Sequence, residues 1–155
     1  MDSGTRNCPQ RIRPAWLPDV DTIDTADVGK WWDAIGVEGQ LGIQLADLLI
    51  TATTGRCGPV VCDPLGPVPK THFLVPVGTA DRWDEPGTEA LGECCSLALP
   101  GNLNADHVSL HWLSPPQGRL VSAALLRELL PRAREQQAAF CMDADVPGPR
   151  GRAAQ

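Results

Sequence analysis

The sequence contains no tyrosine and only two phenylalanines, so its five tryptophans supply most of its large aromatic surface. Large aromatic side chains dominate ordinary protein cores, and tryptophan is also enriched where proteins bind partners. Trp32, Trp83 and Trp112 lie in patterns typical of a core or of a pocket wall. Trp16 and Trp31 are predicted to be exposed anchors, and the charged turn that follows Trp83 makes it a third partner-binding candidate.

Long apolar runs are missing as well. No stretch approaches the roughly 18 to 20 apolar residues of a membrane-spanning helix, and the longest candidate, 41–52, is interrupted by Gly42, Gln44 and Asp47. Charges and prolines occupy the N-terminal residues where a secretory signal needs an apolar segment. We therefore expect a cytoplasmic protein without a membrane partner, in which the six cysteines stay reduced.

Basic residues are scarce in the body of the chain. Residues 19–106 contain fourteen Asp and Glu against four Lys and Arg, and the whole chain has a net charge of −6. Proteins bind a phosphate backbone mainly through Lys and Arg that neutralise it. We therefore predict that the acidic body does not bind nucleic acid and that the partner is a protein. The oligomeric state stays open.

Complete motifs for metal, phosphate or nucleophilic chemistry are also absent. A structural zinc site needs paired ligands such as C-x2-C, whereas this chain has Cys57-x4-Cys62 and the adjacent pair Cys94 and Cys95. A cysteine nucleophile would need a base beside it, which the sequence does not place. The Walker, Rossmann, G-x-S-x-G and H-E-x-x-H patterns do not occur. We therefore predict neither a bound metal ion nor a cofactor.

Turn-forming residues divide the chain into short elements, because it contains fifteen glycines and fifteen prolines. Leucines at helical spacing predict a helix over 39–53, and alternation predicts a strand over 30–37. Residues 19–27 are weakly strand-like. Further strands are expected over 58–62, 71–77, 94–99 and 108–113, and short helical turns over 79–83 and 88–92. The order of these elements indicates an α+β fold, with an antiparallel or mixed sheet of about five strands and two main helices on one face.

Three residues mark the ends of predicted helices. Thr79 is expected to be the N-cap of the short turn, and Ser122 that of the last helix. Pro131 lies inside the last helical pattern, so this helix should end or kink at Leu130, with helical spacing resuming beyond it.

The chain is predicted to have three parts. They are an extended arm over 1–18, a single α+β domain over 19–140 and a disordered tail over 141–155.

Four stretches carry a resemblance to a known family: 29–35 (GKWWDAI), 56–60 (RCGPV), 72–80 (HFLVPVGTA) and 111–116 (HWLSPP). They resemble a region of actinobacterial proteins of the bifunctional DNA primase/polymerase type, which has short stand-alone relatives. The resemblance covers about residues 29–118, and it implies a sheet like those of primase and RRM domains.

Catalysis in that family uses two acidic residues spaced D-x-D on a strand, plus a third carboxylate, to hold divalent metal. The matching strand here has Asp33 alone, although Ser109-Leu110-His111 is similar to the small-x-His motif of the family. The resemblance therefore implies a non-catalytic binding or accessory domain.

Two alternatives remain open at this point. One is an enzyme that acts on a small molecule in a Trp-lined pocket, with Asp33, His72 and His111 as acid–base groups. The other is an active primase–polymerase, which would need a basic cleft.

Overall fold

The computed structural model describes residues 13–104 and 108–145. Within these ranges the chain forms seven strands and two α-helices, and a short 3-10 turn (Ala80–Arg82) precedes the fifth strand. In chain order the elements are β1 (Ile23–Asp27), β2 (Asp33–Glu38), α1 (Gly39–Ala52), β3 (Val60–Asp63), β4 (Lys70–Val75), β5 (Thr88–Leu91), β6 (Ser96–Pro100), β7 (His111–Ser114) and α2 (Ala123–Asp145).

Five of the strands form one antiparallel sheet in the order β5-β2-β4-β3-β7. The hairpin of β3 and β4 agrees with the sequence interpretation. The strands β1 and β6 form a separate antiparallel pair. The predicted α+β fold with about five strands is therefore confirmed, and the second, two-stranded sheet is an addition that the sequence did not indicate.

The two faces of the large sheet bury different sets of side chains, because successive residues of a strand point to opposite faces. Side chains on the inner face pack against both helices, and this cluster includes Ile35, Val37, Phe73, Val75, Leu45, Leu49, Leu126 and Leu130. Side chains on the outer face pack against the β1–β6 pair, and this cluster includes Ala34, Val61, Leu74, Trp112, Leu97, Leu99 and Trp32. Both helices therefore lie on one face, as predicted.

The helix α1 forms because its leucines recur on one side. Leu41, Leu45 and Leu49 are buried against the sheet, and full burial of such a side chain stabilises a fold by about 1.5–3 kcal/mol. At its end, the backbone N–H and the hydroxyl of Thr53 both donate to the Leu49 carbonyl oxygen, at 3.1 and 2.8 Å.

The segment 88–92 was predicted to be a helical turn, and this prediction is wrong. Thr88–Leu91 is the edge strand β5, paired antiparallel with residues 34–37 of β2. Four residues carry too little periodicity to distinguish a strand from a turn, so the pairing with β2 decides their conformation.

The last helix is longer than expected. Ser122 is its N-cap as predicted, since the Ser122 hydroxyl accepts the Leu125 N–H at 3.2 Å. The helix does not end at Leu130 but continues through Pro131 to Asp145. Pro131 has no N–H to donate to the Arg127 carbonyl oxygen. Both residues are exposed, so water can donate to this oxygen instead.

The predicted boundaries change accordingly. Residues 141–145, assigned to a disordered tail, are helical. Residues 13–18 of the predicted arm join the fold, because Leu17 is buried in the outer cluster and Trp16 packs against it. The remaining parts of the arm and tail, 1–12 and 146–155, lie outside the described residues.

Candidate functional site

The β1–β6 pair covers only part of the outer face of the large sheet. Ala34 and Leu74 lie fully buried beneath it. In the next row of the outer face, Gly36 of β2 lies between Glu89 of β5 and His72 of β4, and it is the direct neighbour of both. This row lines an open cavity of about 280 Å3, which is also lined by Glu38, Lys70, Gly87 and Thr88.

Gly36 creates the space for this cavity. A Cβ atom at this position would lie 3.1 Å from both Cδ2 and Nε2 of the His72 ring, which is tighter than ordinary van der Waals contact. The imidazole therefore lies close to the bare backbone of β2. Because neighbouring strands are about 4.8 Å apart, His72 and Glu89 are attached about 10 Å from each other across Gly36.

His72 is a buried polar group at the base of the cavity. The residue is 9% exposed, and no hydrogen bond joins its ring to another residue in the described part of the chain. Buried polar side chains are nearly always hydrogen-bonded, to the protein or to water. The ring nitrogens of His72 are not among the fully buried atoms that lack a hydrogen bond, so they are open to water or to a ligand in the cavity.

Burial also sets the charge of this residue. The pKa of His72 is lowered to about 4, mainly by burial and also by nearby Lys70, while Asp63 opposes the shift. At neutral pH the imidazole is therefore uncharged, and it offers one N–H donor and one nitrogen acceptor.

The charges around the cavity are mostly negative. Glu38 and Lys70 form an ion pair at 3.6 Å with both side chains more than half exposed, and such surface pairs contribute at most about 1 kcal/mol. Glu89 on β5 and Asp63 on β3 add two further carboxylates without a second cation. The site therefore favours a group that donates hydrogen bonds or carries positive charge.

The three acid–base candidates from the sequence are not brought together. Asp33 lies in register with Val75 and points to the inner side of the sheet, with 3% of its surface exposed. His111 pairs with Cys62 on β3 and precedes Trp112, an outer-face residue. Because neighbours on a strand alternate, His111 and His72 lie on opposite faces.

Asp33 has a structural contact instead. Its Oδ2 atom accepts the backbone N–H groups of Gly78 and Ala80, each at 2.9 Å. Thr79 occupies the N-cap position of this turn, as predicted, but its side chain makes no cap hydrogen bond, because the hydroxyl donates to the Pro76 carbonyl oxygen at 2.7 Å. A carboxylate from β2 therefore takes the place of the predicted local cap.

His111 is also held within the fold. It is 3% exposed, and its Nδ1 atom lies 2.6 Å from the Ser109 carbonyl oxygen. Because a carbonyl oxygen can only accept, the Nδ1 atom carries the hydrogen of this contact.

The three predicted partner-binding tryptophans differ in exposure. Trp83 is buried in the inner cluster, its Nε1 donates to the Thr88 hydroxyl at 2.8 Å, and the Arg127 guanidinium lies 5.1 Å from its ring. Trp83 is thus a core residue, as its sequence pattern indicated, and leaves little surface for a partner. Trp16 is half-buried, whereas Trp31 remains 44% exposed.

The described cysteines differ in exposure, and one of them, Cys62, is the cross-strand neighbour of His111. Cys57 and Cys62 are buried, Cys95 is half-buried and Cys94 is exposed, and all four are free thiols. Burial raises the pKa of the Cys62 thiol, which keeps it protonated and unreactive. Among the described residues, no three His, Cys, Asp or Glu side chains are grouped so that they could hold a metal ion.

Sequence reasoning identified His72 but missed its surroundings. Gly36 was interpreted only as part of a strand, although a glycine inside a strand often marks a close approach of another group. Glu89 was missed because 88–92 was assigned to a helical turn. Glu38 and Lys70 end β2 and begin β4, and only the register between these strands brings them together.

Comparison with models of protein families, with curated proteins and with solved structures finds no match to this chain. Within 13–104 and 108–145, no helix is both long enough and apolar enough to cross a membrane.

Proposed function

We propose that this chain is a non-catalytic binding domain, and that it takes a small polar ligand in the cavity above Gly36. The observation that carries the proposal is the buried His72 ring, which lines the cavity without a hydrogen bond to another described residue. A ligand that donates to one ring nitrogen and accepts from the other would satisfy it. Ligand sites in proteins typically combine such a concave surface with a few convergent polar groups.

The absence of catalysis is proposed from the residues of β2. Two-metal chemistry needs carboxylates that face the substrate together. The outer-face positions of β2 are Ala34, Gly36 and Glu38, and the one carboxylate among them, that of Glu38, forms an ion pair with Lys70. Asp33 points to the other side, where it binds the backbone of Gly78 and Ala80. The relationship to primase–polymerase proteins stays a prediction; under it, β2 would be the strand that lacks the metal-binding pair.

The class of ligand follows from the charges. Glu38, Glu89 and Asp63 outnumber Lys70 around the cavity, so a phosphate or carboxylate would be repelled. An amine, amidine or amide donor would be attracted by the carboxylates and would bind the neutral imidazole. The volume of about 280 Å3 suits a compact molecule.

The test is a fragment screen followed by NMR of the histidine ring. Small amines, amides, carboxylates and phosphates are titrated into the 15N-labelled protein, and the His72 ring resonances are monitored. We expect amines or amides to shift these resonances and carboxylates or phosphates to leave them in place. If no fragment moves them, or if phosphates bind best, the proposed function is wrong.

A paired variant checks the location of binding. Gly36→Val places methyl groups into the cavity beside the His72 ring, and it should abolish the shifts. Ala98→Val adds two methyl groups at an exposed position of β6 and should leave binding unchanged. Thermal unfolding of both variants establishes that each one is folded during the titration.

A further inference from the structure

Two clefts that share lining residues lie away from the His72 cavity. One cleft has a volume of about 460 Å3, and the other about 260 Å3. Both are lined by Trp16 and Trp31. We call the two clefts together the Trp31 surface.

The larger cleft is acidic. Asp19, Asp24 and Asp27 line it and are exposed, and Lys30 is the one cation among the residues that line it. The ammonium group of Lys30 lies 5.3 Å from the centroid of the Trp31 ring. A cation near an indole face is stabilised by the ring electrons, so this cleft attracts positive charge through both its carboxylates and its tryptophan.

The smaller cleft is lined mainly by proline and tryptophan, and Arg119 is the charged residue among its lining residues. Pro14, Pro59 and Pro116 lie around the two indoles of Trp16 and Trp31. Grooves walled by aromatic rings bind proline-containing segments in the polyproline II conformation, because these segments are already extended and lose little entropy on binding.

We propose that the Trp31 surface docks an extended segment of a partner protein that contains proline and, next to it, a basic residue. The proline ring would lie in the smaller cleft against Trp16 and Trp31. The basic side chain would lie in the larger cleft, among Asp19, Asp24 and Asp27. Charge complementarity selects this occupant, since a nucleic acid would be repelled by the same carboxylates.

The walls of the surface are already in place. Trp16 packs edge-on against the buried Trp32, with ring centroids 5.6 Å apart. The Arg13 guanidinium donates to the carbonyl oxygens of Pro18 and Gly101, which anchors the segment that carries Trp16. A surface that is ordered before binding avoids part of the entropy cost of association.

The test uses fluorescence anisotropy of a fluorescein-labelled peptide made of repeated Pro-Pro-Arg triplets. We expect saturable binding that weakens as salt is added, because the charges are exposed and screened. A peptide of Pro-Pro-Glu triplets should not bind. Equal binding of the two peptides, or binding of neither, would overturn the proposal.

Matched variants separate the two clefts. Trp31→Ala should weaken binding at least about tenfold, as removal of a tryptophan anchor does. Leu65→Ala removes an exposed apolar side chain elsewhere and should have no effect.

The charge variants test the larger cleft. Asp27→Asn should weaken binding and Lys30→Gln should strengthen it, each by about twofold to fivefold. Asp47→Asn on α1 is the charge control.

The opposite signs expected for Asp27→Asn and Lys30→Gln are the sharpest part of the test. If both variants change affinity in the same direction, charge complementarity is not the basis of binding. Sedimentation of the unlabelled protein examines the other occupant. A dimer that Trp31→Ala dissociates would show that this surface binds a second copy of the chain, and it would overturn the proposal.

Discussion

The carboxylate of Asp33 and the backbone N–H of Ala80 are 2.9 Å apart, and this contact ties β2 to the turn that follows β4. The same oxygen accepts the N–H of Gly78 at 2.9 Å. Hydrogen bonds to a charged group are about twice as strong as those between neutral groups. Asp33 therefore stabilises the chain where β4 leaves the sheet.

This contact predicts that Asp33→Ala destabilises the fold by about 2–3 kcal/mol, because two N–H groups lose their charged acceptor. Urea unfolding measures the change. Asp81→Asn, in the same turn but exposed, should alter the free energy of unfolding by less than about 0.5 kcal/mol. Similar effects of both substitutions would show that general charge, and not the contact, is responsible.

The buried His72 predicts a loss of stability on acidification. Its pKa is lowered from the usual 6.5 to about 4, so the unfolded chain binds a proton at a pH where the folded one does not. The contribution of the neutral imidazole to the free energy of unfolding is fully present above the pKa of His72 in the unfolded chain. It is lost as the pH falls towards the pKa of His72 in the folded protein. It amounts to roughly 2 kcal/mol between about pH 7 and pH 4.5.

Carboxylates titrate in the same range, so the measurement needs a reference variant. The free energy of unfolding is compared between the wild type and His72→Gln across this window. We expect the decline with falling pH to be smaller in the variant. Parallel curves would contradict a lowered pKa, and an NMR titration of the His72 ring would check the value directly.

The close packing at Gly101 leads to a prediction about the stability of the segment that contains Trp16. A Cβ atom at Gly101 would overlap the carbonyl oxygen of Asp19, and the backbone N–H of Gly101 donates to the Thr22 carbonyl at 2.8 Å. Gly101→Ala should therefore displace the segment and cost about 1–3 kcal/mol of stability.

The same substitution should weaken peptide binding to the Trp31 surface while leaving the His72 cavity intact. Anisotropy with the Pro-Pro-Arg peptide and NMR of the His72 ring measure these two effects. Gly66→Ala, at a turn glycine with a φ of +93° and open space around it, is the control for backbone strain without steric overlap. Equal losses of peptide binding in the two variants would contradict the contact with Asp19.

Local patterns predicted the elements that bury a periodic face. The helix α1 follows from its leucines, and the start of α2 follows from Ser122, since both signals lie within a few residues of the structure that they specify. The hairpin of β3 and β4 follows from two apolar stretches separated by a turn. These predictions needed no knowledge of distant neighbours.

The candidate site depends on such neighbours and was only partly predicted. His72 was named, but its cavity requires Gly36 and Glu89 to lie beside it in register, and Glu89 belongs to a strand that has no clear sequence signal. Trp83 was named as a partner-binding residue, yet Thr88 and Arg127 enclose it. Exposure depends on what packs against a residue, which no local pattern contains.

The sequence by itself determined the α+β class, because the spacing of apolar residues indicates which segments form strands and which form helices with one buried face. It also determined the acidic body. Only the tertiary structure decided that Asp33 binds a turn, that His72 and His111 face opposite sides, and that Gly36 opens a cavity. Strand order and register set these relationships, and they depend on pairing between distant segments, which short-range propensity does not specify.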